Sequence, residues 1–241
     1  MSIFNWFKKE EEFDQFGLVE DPQKEEDPRN VLYSDIALGF AAAEAEDDVR
    51  HVRPDNFRLE RPAAVLNQGK VPACVAHSGA HVFAQMTGKV VSPRDGWNRM
   101  KTGGEFPSSK LSYGAYLVDI ARVMTKYGMT DLDLLANDPV SDPAGYINFL
   151  RTPAMERAAL KNRIGGYTFL FSSNDDLERF EAVRDYIWRE KKSVLFSVTW
   201  RGSYQSAKKE GGVVKLEAPS GKSVGHAMCV DGWKKINGHE Y

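Results

Sequence analysis

From Cys74 to about Met86 the apolar positions recur at helical spacing. Val75, Val82, Phe83 and Met86 share a face that Ala76 and Gly79 extend, and Pro72 stands just ahead of it, where proline is tolerated. Residues 88–112 are rich in Gly, Pro and Ser and read as loop. The pattern predicts a second helix over 114–127, with Leu117, Ile120, Ala121 and Met124 on one face and Gly128 as its stop. Three prolines between 137 and 153 predict a linker between two halves. A third helix follows from Asp175 to Glu190: Leu177, Phe180, Val183, Ile187 and Trp188 share a face, Asn174 is the candidate N-cap, and acids fill the first turn. The pattern then turns to strands at 194–200, 212–216 and 224–233, separated by Gly, Pro and Ser. Helices first and strands afterwards predict an α+β fold in two lobes, with a cleft between them as the natural site.

The first fifty residues do not fit this pattern. Residues 1–30 are acidic and broken by Asp-Pro at 21–22 and 27–28, and 31–48 predicts at most a short helix. Residues 1–53 hold fourteen Asp/Glu against six Lys/Arg, a net of −8, whereas the remainder holds twenty against twenty-six, a net of +6. We expect a boundary near Pro54, with 1–53 as an acidic leader, either a prosegment or a flexible arm. The main domain is then 54–241, a helical lobe over about 54–150 and a β lobe over about 151–241.

With a formal net charge of −2, nothing global points to nucleic acid or an anionic membrane as partner. No apolar run reaches the ~20 residues of a membrane span, and the start lacks a signal peptide's apolar stretch. These features predict a cytoplasmic protein. The two cysteines, Cys74 and Cys229, provide neither a disulfide framework nor metal-ligand spacing.

Cys74 follows a turn containing Gly and Pro and opens a helix. The partial positive charge of a helix N-terminus stabilises a thiolate, the form a nucleophilic Cys needs. A Cys taken alone is usually a small buried hydrophobe, and Cys229, alternating with core positions of a strand, reads as one. Acyl transfer also needs donors for an oxyanion and a base with a pKa near 7. Gln68 precedes Cys74 by six residues, and Gly69 offers a turn to bring its amide round. Of five histidines, His226 follows Gly225 and begins an apolar strand. His77 and His81 share the Cys74 helix and read as packing or solvent residues. His51 lies in the leader and His239 near the end of the chain.

The stretch Asn67-Gln68-Gly69, with Cys74 six residues after the Gln and Ala76 beyond it, resembles the papain-like cysteine peptidases. Upstream, Asp55-Asn56-Phe57-Arg58 is similar to the start of the family's mature enzyme. Ser112-Tyr113-Gly114-Ala115-Tyr116 is similar to its Gly-Gly-Tyr loop, and Gly225-His226-Ala227 with Gly232-Trp233 to its base-bearing strand. The resemblance covers roughly 55–241. It implies a papain-like two-lobe fold, with the nucleophile at a helix N-terminus and an antiparallel β-barrel-like lobe carrying the His. It implies Cys74 as nucleophile, His226 as base and Gln68 as oxyanion donor, with Gly114, Ala115 and Gly225 binding the substrate backbone. It implies a peptide or protein substrate, and neither cofactor nor metal.

The departures are specific. Ala115 stands for a Gly, Pro72 for the Gly beside the nucleophile, Val75 for a Trp, and Val71 for a structural Cys. The family's orienting Asn, in Asn-Ser-Trp-Gly, has no match, and Gly238-His239-Glu240-Tyr241 is similar to the strand just before it. The expectation is therefore a chain truncated at its C-terminal end. Two alternatives stay open: a catalytically impaired papain-fold binding or structural protein, possible in a virion-associated role, and acyl transfer to an amine. The expected activity is that of an endopeptidase or exopeptidase, without an assignment between the two.

Overall fold

The computed structural model describes residues 18–19, 53–138, 143–171, 175–200, 204, 224–236 and 239–240. In chain order its first strands are β1 (Leu18–Val19) and β2 (Asn56–Arg58). Helices α1 (Cys74–Thr87) and α2 (Pro93–Lys101) follow, then a 3-10 turn at Pro107–Lys110, β3 (Ala115–Tyr116) and α3 (Leu117–Lys126). Then come α4 (Pro143–Ile147), α5 (Pro153–Lys161) and α6 (Asp176–Glu190). The chain closes with β4 (Val194–Trp200), β5 (Val224–Val230), β6 (Gly232–Ile236) and β7 (His239–Glu240). This is the expected α+β layout. The predicted helix at 31–48 and strand at 212–216 lie outside the described residues, as does Asn174.

One hydrophobic core gathers the first helices. Trp97, Met100, Ile120, Val123 and Tyr146 are fully buried in it together with the start of α1. Burying a side chain of that size contributes about 2–3 kcal/mol. Gly79 lets α1 and α3 touch, because a Cβ there would collide with Ile120. A second, smaller core joins Leu59, Ile187, Val194 and Trp233. Phe57 packs edge-on against Trp188 with centroids 5.0 Å apart, and the Trp233 indole donates to the Pro54 carbonyl at 2.9 Å.

The stretch 88–112, expected as loop, contains a helix and a 3-10 turn. Pro93, read as punctuation, sits in the first turn of α2, and the cations Arg99 and Lys101 lie at the helix's negative end. The buried face of α2 includes Asp95, which hides it from an apolar-stripe criterion. Asp95 is fully enclosed and accepts from the Thr130 N–H at 2.8 Å, from Arg99 at 3.3 Å and from Arg151. The α6 N-cap is Asp175, whose carboxylate accepts from the Glu178 N–H at 2.9 Å. Asp231 breaks the expected strand 224–233 into β5 and β6.

One sheet has the order β3-β1-β5-β4 and the other β2-β6-β7. Neither closes among the described residues, so the barrel-like closure expected of the second lobe is not found. In the first sheet β4 and β5 pair antiparallel along their whole length, from Val194↔Val230 to Trp200↔Val224. The other side of β5 meets β1, Leu18 opposite Gly225, and β1 runs parallel to β3, Leu18 opposite Ala115. The leader, expected to be weakly structured, thus places two residues in the middle of a sheet. No helix among the described residues is long and apolar enough to cross a membrane.

Candidate active site

The loop into α1 is wound tightly. The Asn67 side chain accepts the Gly69 N–H at 2.9 Å, and Gly69 takes φ 58, a left-handed conformation that suits glycine. The Val71 N–H then returns to the Gln68 carbonyl at 3.2 Å, and the Gln68 side-chain amide donates to the Val71 carbonyl at 3.2 Å. The half-buried Gln68 is thereby held against the last residues before Cys74. Asn137 fastens this loop to the helical core: it donates to the Asn67 carbonyl at 3.0 Å and accepts from the Tyr146 hydroxyl at 2.8 Å.

Cys74 is the first residue of α1 and is buried. The N-cap, Ala73, contributes no side-chain bond, and the first turn holds no acid, so no side-chain anion there offsets the positive helix end. Strand β5 crosses this point, and the Ala227 N–H meets the Cys74 sulfur at 3.4 Å. Ala227 directly follows His226. The structure thus brings the strand carrying the predicted base onto the helix start carrying the predicted nucleophile, although the two are about 150 residues apart.

His226 lies opposite Val198 of β4. Two positions on, Trp200 is on the same face, and its ring meets the imidazole at 4.7 Å between centroids, inclined by 76°. Tyr204 packs on the other ring contact of Trp200, at 5.1 Å and 86°. Burial holds the His226 pKa below that of an ordinary histidine. Sequence reasoning passed over Trp200, although the two-residue strand period marks it once Val198 and His226 are paired.

Gly114, Ala115 and Gly225 meet through the leader. Leu18 is flanked by Ala115 and Gly225, so the two predicted backbone-binding segments face each other with one strand between them. Gly114 has φ 69, and Ala115 is fully buried.

The remaining predicted residues divide as follows. His77 is a buried packing residue: its Nδ1 lies 2.9 Å from the Ala73 carbonyl, and burial pulls its pKa down to about 4. His81 is tied to Asp231, at 2.9 Å. The Cys229 thiol donates to the Ser78 carbonyl at 3.2 Å, and burial, with Asp231 nearby, pushes its pKa up to about 12. His51 and the side chain of His239 lie outside the described residues.

No protein-family model matches the chain, and no curated protein matches it in sequence. Solved structures do. Xylellain, a cysteine protease from Xylella fastidiosa, superposes with a TM-score of 0.62 at 17% identity over 91% of this chain and 80% of its own. Digestive procathepsin L 3 of Tenebrio molitor larval midgut gives 0.60 at 16% identity over 95% of this chain, which spans 64% of that protein. Procathepsin B S9 from Trypanosoma congolense gives 0.56 at 16% identity, over 95% and 74%. With a thiol at the start of the central helix and an antiparallel strand laid across it, the chain has the fold of the papain-like cysteine proteases.

Proposed function

We propose that the protein is a thiol peptidase that cleaves peptide bonds through an acyl-enzyme. The observation that carries this is the meeting of the Cys74 sulfur with the Ala227 N–H, which sets the His226 strand on the helix start. In this reading Cys74 attacks the substrate carbonyl as a thiolate while His226 holds the proton. The C–N bond breaks as His226 passes that proton to the leaving amine. Water, deprotonated by His226, then releases the acid and restores the thiol. The Cys74 N–H and the Gln68 amide receive the oxyanion. Trp200 closes one side of the imidazole and limits the orientations it can adopt.

The leader is assigned the role of a prosegment. Leu18 pairs with both Ala115 and Gly225, the backbone to which a peptide substrate would add. The leader's −8 net charge opposes the +6 of the rest, which favours its seating. Arg53 belongs with the body, because its guanidinium bonds Asp185 at 2.7 Å and also pairs with Glu181. A cut to release the cleft therefore belongs upstream of it. Removing residues 1–30 is expected to raise turnover of a peptide substrate at least tenfold, and an unchanged rate would remove the prosegment role.

The test of the peptidase reading is treatment of the chain, and of Cys74→Ala, with an epoxide-type cysteine-peptidase inhibitor, read as a mass shift. One adduct on the chain and none on Cys74→Ala is the expected result. A folded chain that takes no adduct, with and without residues 1–30, would replace this reading by that of a binding protein built on the same fold.

A further inference from the structure

Lys101 ends α2, and an unusual set of partners surrounds it. Its ammonium Nζ donates to three backbone carbonyls, Ser108 at 2.8 Å, Leu111 at 3.0 Å and Gly114 at 2.9 Å. An ammonium group has three donors and no acceptor, so a shell of three carbonyls suits it. Its own helix adds the negative C-terminal end and the Trp97 ring, 5.3 Å from Nζ. From α3, Asp119 supplies the facing negative charge, and Asp119 is itself bonded to Arg122 at 3.0 Å.

This shell acts on one side of β3. Ser108 is anchored by Asp119, which accepts from its N–H at 2.9 Å and its hydroxyl at 2.6 Å. The same Ser108 hydroxyl accepts the Tyr116 N–H at 2.8 Å. Around an extended residue, the preceding C=O and the following N–H point to one side, and the residue's own N–H and C=O point to the other. Lys101 and Ser108 therefore hold the inner side of Ala115, through Gly114 C=O and Tyr116 N–H. The N–H and C=O of Ala115 itself turn toward β1, where Leu18 is seated.

We propose that Lys101 is a positioning residue for peptide binding: its ammonium group gathers the Ser108, Leu111 and Gly114 carbonyls and so fixes Ala115 with its backbone hydrogen-bonding edge presented to the cleft. This rests on the reading of that cleft as a peptide-binding one. It also names Ala115, rather than Gly114, as the residue that offers the edge.

Burial lowers the Lys101 pKa to about 8, against the opposing pull of Asp119. The open loop, with its lysine in water, binds the proton more tightly than the closed one.

The leader is the chain's own peptide on this edge, so amide hydrogen exchange of the full chain reads the effect directly, with a segment of α5 correcting for intrinsic base catalysis. In Lys101→Met, exchange at 18–19 and 115–116 is expected to accelerate at least tenfold, with Val194–Trp200 unchanged. In Lys101→Arg, which keeps the charge but spreads its donors over a planar fork, protection at pH 7 should return only in part. Unchanged exchange at 115–116 in Lys101→Met would overturn the proposal. So would acceleration confined to 108–111 that leaves 18–19 protected, because the shell would then serve the loop alone. Should Lys101→Met fail to fold, Lys101→Gln decides, and exchange at 115–116 equal to that of the parent chain refutes the role. Inhibitor labelling at Cys74 is scored separately: its failure removes the peptidase reading while these exchange results still test the edge.

Discussion

The two cysteines lie on one seam, where α1 packs against β5, and the two ends of that seam are built oppositely. At the first end the Cys74 sulfur receives an N–H, that of Ala227, beside the positive start of a helix. At the other end the Cys229 thiol gives its proton to the Ser78 carbonyl and sits near the Asp231 carboxylate. A donor and a helix dipole favour the thiolate; an acceptor and an anion favour the thiol. One helix and one strand thus give the two sulfurs opposite surroundings, with burial common to both.

The sharpest break of this comparison is differential alkylation. With a pKa near 12, Cys229 is a thiolate at pH 7.5 in only about one molecule in 10⁴–10⁵. Iodoacetamide is expected to modify Cys74 at least 10³ times faster than Cys229, as read by peptide mass mapping of the chain cleared of residues 1–30. Comparable rates at the two sites would mean that the seam does not discriminate.

How much of this was readable beforehand follows from the same physics. The α1 start, β4 and the onset of β5 announce themselves through apolar periodicity and Gly/Pro punctuation, and Cys74 and His226 could be singled out by what precedes them. Helix α2 could not, because Asp95 and Lys101 spend their charges inward, on Thr130, Arg151 and three carbonyls, and leave too few apolar positions to trace a stripe. Helix α5 was missed for a related reason. Its Pro153 stands in the first turn behind a Thr152 cap, which satisfies the Met155 N–H at 3.2 Å, and proline alone was read as linker. The seating of Leu18 depends on pairings roughly 100 and 200 residues away, which no local pattern carries. The split at Asp231 is visible only once His81 and Ser193 are seen to hold its carboxylate, at 2.9 and 2.5 Å.

A second handle lies on the same helix, one turn past Cys74. His77 stacks near Tyr146, with centroids 6.3 Å apart, and its pKa falls to about 4 because burial disfavours the imidazolium. The unfolded chain, with an ordinary histidine, then binds more protons than the folded one between about pH 6.5 and 4. Stability therefore falls as pH drops through that window, by about 2 kcal/mol between pH 7.5 and 5. His77→Phe removes this contribution. Urea unfolding at both pH values should show that much less acid loss than in the parent chain, and an equal loss would mean the imidazole is already charged in the fold.

Asp231 tests the inert end. Burial works against its charge, but the bonds from His81 and Ser193 prevail and hold its pKa below the ordinary carboxylate value. Its contribution is therefore complete above about pH 4 and is lost as pH falls through the folded value. Asp231→Asn keeps an acceptor for Ser193 and loses the charge. We expect a loss of about 1 kcal/mol at pH 7 by urea unfolding. Cys229 alkylation should rise several-fold yet stay far below that of Cys74, because burial is the larger cause of its raised pKa. Alkylation that does not change would remove Asp231 from the electrostatics of that thiol.

The smallest effect is the most discriminating about which atom quiets Cys229. The acceptor at 3.2 Å is the main-chain carbonyl of Ser78, not its hydroxyl. Ser78→Ala deletes the hydroxyl and leaves that carbonyl in the α1 backbone, so the Cys229 alkylation rate should stay within about twofold of the parent. If the rate instead falls several-fold in Ser78→Ala, the side-chain hydroxyl is donating to the sulfur and favouring its thiolate. If the rate holds, the side chain at 78 has no part in quieting Cys229, which rests on burial first and Asp231 second. Sequence change at 78 could then not exchange the roles of the two cysteines.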